Sequence, residues 1–234
     1  MTFRGIAFTA LLTCGFLYAQ AAGDWASYGA TNWSQKYSAL DKINRDNFKD
    51  LQIAWTWKSP DLELVASDTV KRDPPLTPYG LKATPLLANG VMYMSTGLGQ
   101  IAAIDPSTGV TKWLYNPKAY DEGMQADIMG WLSRGVAYWT DGKGDERLLM
   151  GTLDGYIIAV DAKTGKPVPS FGDHGRTDLN APVPRATRNT LHLPAGERHY
   201  VSVDSPPVVV RDTVIVGSSM SDRTPTKEWA PGYV

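Results

Sequence analysis

Cysteine is almost missing from this sequence, with only Cys14 among 234 residues, close to the N-terminus. Its absence from the rest of the chain excludes a disulfide framework, a thiolate metal centre and a cysteine nucleophile there. Histidine is scarce as well: His174, His192 and His199 are the only three, all in or beside one polar stretch. The chain has no His-Glu-x-x-His, no Gly-Lys-Ser/Thr phosphate loop and no Gly-x-Ser-x-Gly elbow, so the common hydrolase and nucleotide-binding signatures are absent. Neither sign of charge dominates. Lys plus Arg total 23 and Asp plus Glu 24, which forces no basic face and makes nucleic acid a poor partner. Long hydrophobic runs are lacking too. Ile6–Tyr18 covers 13 residues, short of the roughly 20 that a membrane-spanning helix needs.

What is present starts with that run. Arg4 precedes it and Ala19-Gln20-Ala21 follows it, a charged, apolar and small-x-small order that reads as a secretory signal over residues 1–21. An uncleaved anchor is the alternative. Leu11-Leu12-Thr13-Cys14 is a poor lipidation signal, because Thr13 is larger than the small residue normally placed before such a cysteine. The mature chain is therefore expected to be residues 22–234, exported to the periplasm or beyond. Hydrophobic residues at 43% and charged residues at 20% describe a globular chain rather than a disordered one.

Within residues 22–234 the chain repeats itself. Met94–Asp105 aligns with Met150–Asp161 at one offset of 56, matching Met, Thr, Gly, Ile, Ala and Asp, and runs on through Thr108-Gly109 and Thr164-Gly165. Each copy reads as strand, glycine turn, strand, then Asp-x-x-Thr-Gly. A third, partial copy pairs Pro85–Met94 with Pro207–Val216 at an offset of 122, with Asn89-Gly90 and Arg211-Asp212 at the turn. Units of this size with short β runs and variable loops predict an all-β fold, a β-propeller of four-stranded blades. In Asp-x-x-Thr-Gly the carboxylate caps a tight turn and glycine takes a positive φ. Trp113, four residues past Gly109, is expected to lie flat between neighbouring sheets. Most of the eight Trp (against five Phe) then belong to blade architecture.

The remainder is less regular. Asn44–Leu51 predicts a short helix with Asn44 as N-cap and Phe48 and Leu51 turned inward. Leu51–Trp57 predicts a strand. Gly172–His199, with three prolines and four arginines, reads either as a solvated excursion between blades or as a binding loop.

Several blocks resemble the pyrroloquinoline-quinone (PQQ)-dependent alcohol and sugar dehydrogenases. They are Asp24-Trp25 with Tyr28-Gly29, Tyr37-Ser38 with Leu40, Ile43 and Asn44, then Ala83-Thr84-Pro85, Ser133–Trp139 and Ser205–Val209. The Arg134–Trp139 block, Arg-Gly-Val-Ala-Tyr-Trp, is the most specific of them. Pro169–Gly175 leans toward the glucose and polyol branch, and so does Ile128-Met129 where alcohol-type enzymes place adjacent cysteines.

The resemblance implies an eight-bladed parent propeller holding PQQ near its axis, with calcium on the quinone. This chain would supply about three to four of those blades. The resemblance also implies a small alcohol, polyol or sugar substrate, and an electron acceptor such as a cytochrome c or a membrane quinone. It makes Arg134 the leading cofactor-binding residue, since a guanidinium fork suits the carboxylates of PQQ; a structural ion pair is the alternative for this side chain. Ser219 falls where the alcohol branch contacts PQQ. Asp222 falls on a calcium-liganding carboxylate, with a turn-capping role as the alternative.

Two positions depart from the family pattern: Lys82 stands where a glutamate contacts PQQ, and Asp204 replaces the threonine common just before Ser-Pro-Pro, adding a negative charge near a trianionic cofactor. Both are carried as cofactor-site candidates. The catalytic base of the family is encoded further along, so no catalytic residue is expected within the chain, which ends inside a repeat. A propeller of the same repeat type that scaffolds partners without binding a quinone is the competing expectation.

Overall fold

A computed structural model of the chain describes residues 23–31, 33–67, 76–78, 80–122, 131–179, 181 and 201–218. The expected signal at 1–21 lies outside them, as do Ser219, Asp222, His192 and His199. Among the described residues no helix is long and apolar enough to cross a membrane.

The repeat becomes two successive four-stranded antiparallel sheets. The first holds β1 (Leu86–Ala88), β2 (Val91–Ser95), β3 (Ile101–Ile104) and β4 (Thr111–Tyr115), and the second β5 (Ala137–Thr140), β6 (Glu146–Gly151), β7 (Tyr156–Asp161) and β8 (Arg176–Asp178). Each is a simple up-and-down meander in chain order. A third unit begins with the hairpin of β9 (Val208–Val210) and β10 (Thr213–Ile215), in register Val209 to Val214. These are blades of a partial propeller, as the repeat predicts.

The sheets stack face to face, and strand periodicity explains how one sheet serves two neighbours. Leu148, Met150, Ile158 and Val160 of the second sheet join Leu86, Tyr93, Ile101 and Ala103 of the first in one buried cluster. The alternate residues Leu149, Ile157 and Ala159 point the other way, onto Val209, Val214 and Val216. A strand buried on both faces reads as a continuous apolar run, which is why Tyr156–Asp161 carries no polar alternation.

Both Asp-x-x-Thr-Gly turns form as expected. Asp105 Oδ1 accepts the amides of Ser107 and Thr108, and Asp161 Oδ1 those of Lys163 and Thr164. Gly109 and Gly165 take φ of 72° and 69°. Each turn carries a tryptophan: Trp55 Nε1 donates to Pro106 O at 3.0 Å and Trp113 Nε1 to Ala162 O at 3.2 Å.

Three local expectations are corrected. Asn44–Leu51 forms only a 3-10 turn at Phe48–Asp50. The Asn44 side chain closes an Asx turn on the Asp46 amide at 2.9 Å, and Phe48 and Leu51 are exposed rather than inward, so no apolar face supports a helix. Leu51–Trp57 forms no strand and pairs with none among the described residues. Its tryptophans, not a ladder, hold it: Trp57 Nε1 reaches Thr111 Oγ1 at 2.9 Å. The stretch from Gly172 opens on β8, the outer strand of the second sheet, so its first part is blade rather than excursion. Two short helices, α1 (Asp61–Ala66) and α2 (Ala119–Glu122), precede and follow the first sheet.

Candidate functional site

The inner strands β1, β5 and β9 are each preceded by an extended lead-in segment, and the backbone of Arg134 ties the three together. Its carbonyl accepts the Thr84 amide at 3.3 Å, and its amide donates to Asp204 O at 2.7 Å. The sequence supports this placement locally. Leu132, Ser133 and Val136 are buried while Arg134 between them is exposed. Ser133 Oγ lies 2.9 Å from Ser95 Oγ, anchoring the segment to the end of β2. Gly135 adopts φ 144°, and a Cβ there would meet nothing closer than 3.7 Å. Backbone conformation, not crowding, therefore selects glycine after the arginine.

Among the described residues the guanidinium makes one ion pair. Arg134 Nη2 is 3.6 Å from Asp204 Oδ2, with the arginine side chain 55% exposed and the aspartate 13%. Asp204 Oδ1 also accepts the Ser205 hydroxyl at 3.0 Å. Arg134 thus has an acidic neighbour, and about half of its side chain still faces solvent. Lys82, exposed, lies two residues before Thr84 and so on the neighbouring lead-in segment. The structure brings Arg134 and Asp204 together and places Lys82 at the same end of the blades. Ser219 and Asp222 lie outside the described residues.

Ser205 and Ser133 were not singled out as site residues by the sequence. Both hydroxyls sit at the foot of an apolar strand, and that pattern alone does not distinguish a positioning hydroxyl from a turn residue.

A second polar constellation lies at the opposite end of β5, where the β1–β2 turn meets the second sheet. Glu146 Oε2 accepts Tyr138 Oη at 2.8 Å and Asn89 Nδ2 at 2.9 Å, and Lys163 Nζ is 3.1 Å from Oε1. Burial alone would raise the Glu146 carboxyl, but the bonds from Tyr138, Asn89 and Lys163 outweigh it and hold it below its usual range. Burial, then Glu146, pushes Tyr138 up, and Tyr93, stacked on it at 6.3 Å, is pushed up to about 12 by burial first. Both phenols are held neutral, and the cluster is a joint between blades.

A cleft of about 550 Å3 runs between Ala26–Gly29 with Thr31 and Ser34, Val136–Tyr138 and Pro206–Arg211. Its walls are mostly apolar and include neither Arg134 nor Asp204. His174 is exposed and, among the described residues, pairs with Asp173 at 3.5 Å. Among the described residues no three His, Cys, Asp or Glu are grouped to hold a metal.

A partial propeller with an outward-facing arginine where its inner strands begin defines a class, and the comparisons with known proteins say which. Residues 25–234 match the family described as "PQQ: Glucose/ethanol/alcohol dehydrogenase, beta-propeller domain", and the chain belongs to that family. It is 34% identical over 196 residues to the dehydrogenase subunit of the quinone alcohol dehydrogenase of Gluconobacter oxydans, covering 84% of this chain and 21% of that protein. It is 30% identical over 225 residues to quinoprotein glucose dehydrogenase A of Acinetobacter calcoaceticus, covering 89% and 26%. The fold superposes on the crystal structure of quinohemoprotein alcohol dehydrogenase from Comamonas testosteroni with a TM-score of 0.57 and 28% identity, over 86% of this chain and 24% of that one. The chain thus spans about a quarter or less of the length of these relatives.

Proposed function

We propose that this chain is the N-terminal portion of a periplasmic quinoprotein dehydrogenase that oxidises an alcohol, polyol or sugar hydroxyl. The observation that carries the reading is the solvent-facing guanidinium of Arg134, fixed where the lead-in segments of three blades meet. Family membership supports it, and so do relatives named for alcohol and glucose oxidation.

The residues present fit a carboxylated cofactor. A guanidinium whose one ionic partner among the described residues lies 3.6 Å away keeps donors for a bidentate carboxylate. When bound, PQQ supplies the two-electron acceptor for the hydride leaving the hydroxyl carbon. In this proposal Arg134 binds and orients one cofactor carboxylate, and Lys82 adds positive charge from the neighbouring segment. Ser219 contributes a further polar contact, and Asp222 one carboxylate oxygen to a calcium site. The hydroxyl proton passes to a carboxylate supplied by the remainder of the parent protein. Electrons leave to a cytochrome c or membrane quinone. The secretory pattern of residues 1–21 supports the periplasm.

The test is a titration of the purified chain with PQQ and calcium, followed by quenching of tryptophan fluorescence. Saturable binding that Arg134→Gln abolishes and Arg134→Lys weakens is the expected result. If Arg134→Gln binds as the parent chain does, or no form binds, the reading fails and a propeller that scaffolds partners takes its place.

A further inference from the structure

We propose that Asp204 sets the affinity of the Arg134 site for carboxylates, acting as a resident counter-ion with which any carboxylate occupant competes. The inference rests on the reading of Arg134 as a cofactor-binding residue and goes beyond it, since it assigns the neighbouring acid a role in how tightly the occupant is held.

Three features of the pair carry it. The first is the separation of 3.6 Å, too long for a hydrogen bond, so the two groups attract as charges without locking into a bidentate fork. The guanidinium keeps its donors for an incoming group. The second is the unequal burial: the Asp204 side chain is 13% exposed and the Arg134 side chain 55%, so the acid is the fixed member and the arginine the presented one. The third is that Asp204 has little freedom to withdraw. Its carbonyl accepts the Arg134 amide at 2.7 Å and its Oδ1 accepts the Ser205 hydroxyl at 3.0 Å. A carboxylate placed on the open side of the guanidinium therefore meets a second carboxylate, unable to move, on the other.

The opposing effects can be weighed. Asp204 helps to hold the guanidinium while no occupant is bound, which an uncharged acceptor of the same shape would also do. Its charge acts against an anionic occupant only. At roughly 6 Å and an effective dielectric of about 40, between the value typical of a near-surface pair and that of bulk water, like-charge repulsion between two carboxylates weakens binding by about tenfold. The charge of Asp204 thus lowers the affinity for multiply charged acids while its shape preserves the geometry. An occupant bearing several carboxylates is held reversibly rather than irreversibly.

The experiment measures dissociation constants by tryptophan fluorescence for the parent chain, Asp204→Asn, Asp204→Ala and Arg134→Gln. The probes are PQQ and, as a carboxylate without a quinone, benzene-1,2,4-tricarboxylate. Far-UV circular dichroism checks that each variant keeps its β content. Asp204→Asn, which retains the shape and removes the charge, is expected to bind both probes about tenfold more tightly, with Asp204→Ala gaining less. Unchanged or weaker binding by Asp204→Asn, with binding still lost in Arg134→Gln, overturns the inference and leaves the reading of Arg134 intact. Binding that survives in Arg134→Gln, or is absent from every form, overturns both.

Discussion

Trp113 of the first sheet lies flat on Gly165 of the second, so close that a Cβ at Gly165 would fall 2.5 Å from the indole ring. The arrangement recurs one blade earlier, where Trp55 covers Gly109 and a Cβ would fall 2.7 Å from its ring. In both, the indole N–H donates to a backbone carbonyl of the same turn, Pro106 or Ala162. The glycine of Asp-x-x-Thr-Gly therefore does two jobs: it permits a positive φ and leaves room for the neighbouring blade's tryptophan. Trp113 stands on β4, the outer strand of its sheet. Trp55 holds the corresponding place relative to the first sheet although residues 51–57 pair with no described strand.

Removing either half of this contact should cost the same stability. Trp113→Ala loses the ring's burial and its hydrogen bond, and is expected to lower stability by about 3 kcal/mol. Gly165→Ala displaces the ring and strains the backbone at φ 69°, with a cost of similar size. The double variant should fall well short of the sum, because both changes break one contact. Urea unfolding of the four forms checks this, and full additivity would show that the ring and the glycine act separately.

The blades were legible because their chemistry is local. A hairpin glycine, a capping aspartate and a run of β-branched residues each act within a few positions, so the offset of 56 locates β2, β3, β6 and β7. The outer strand β8 was hidden for the opposite reason. Arg-Thr-Asp at 176–178 has all three residues exposed, and a solvated edge strand has no apolar pattern to read. The turn at Phe48–Asp50 is hard to read from sequence because Phe48 and Leu51 have the spacing of a buried face, yet both are exposed. Arg134 was found through its resemblance. Its partnership with Asp204 spans 70 positions of chain and follows from no spacing rule.

Asp61 shows how far a buried charge can be satisfied without being part of the site. At 3% exposure it accepts Thr96 Oγ1 at 2.7 Å, Gln100 Nε2 at 2.8 Å and the Leu98 amide at 3.0 Å, joining α1 to the β2–β3 turn. In the second blade Asp154, within the turn itself, accepts the hydroxyl of Thr152, the residue matching Thr96. Asp61→Ala leaves three buried donors without an acceptor and should cost about 3 kcal/mol, whereas Asp61→Asn, which sets an amide donor against at least one of them, should cost about 2 kcal/mol. Asp154→Asn, in a half-buried turn, should cost under about 1 kcal/mol. Thermal or urea unfolding ranks the three variants, and equal effects at 61 and 154 would contradict the assignment.

The Glu146 cluster makes the blade joint sensitive to acid. The carboxyl is held below its ordinary value of 4.5 by Tyr138, Asn89 and Lys163, despite burial acting the other way. A carboxyl with a lowered folded pKa contributes stability that is complete above its unfolded value and disappears as pH falls through the folded one. The loss should therefore set in as pH falls below about 4.5, and Glu146→Gln, which no longer titrates, should show a shallower acid decline. Tyr138 works in the reverse direction: its phenol is raised above 10 by burial and by Glu146. Its contribution is complete below pH 10 and is lost as pH climbs above that value, a decline that Tyr138→Phe removes. Urea midpoints measured across both ranges for the parent chain and the two variants separate the effects. An acid decline unaltered by Glu146→Gln would place the acid-labile joint at some other carboxylate, with Asp105 and Asp141, both lowered first by backbone amides, the next to test.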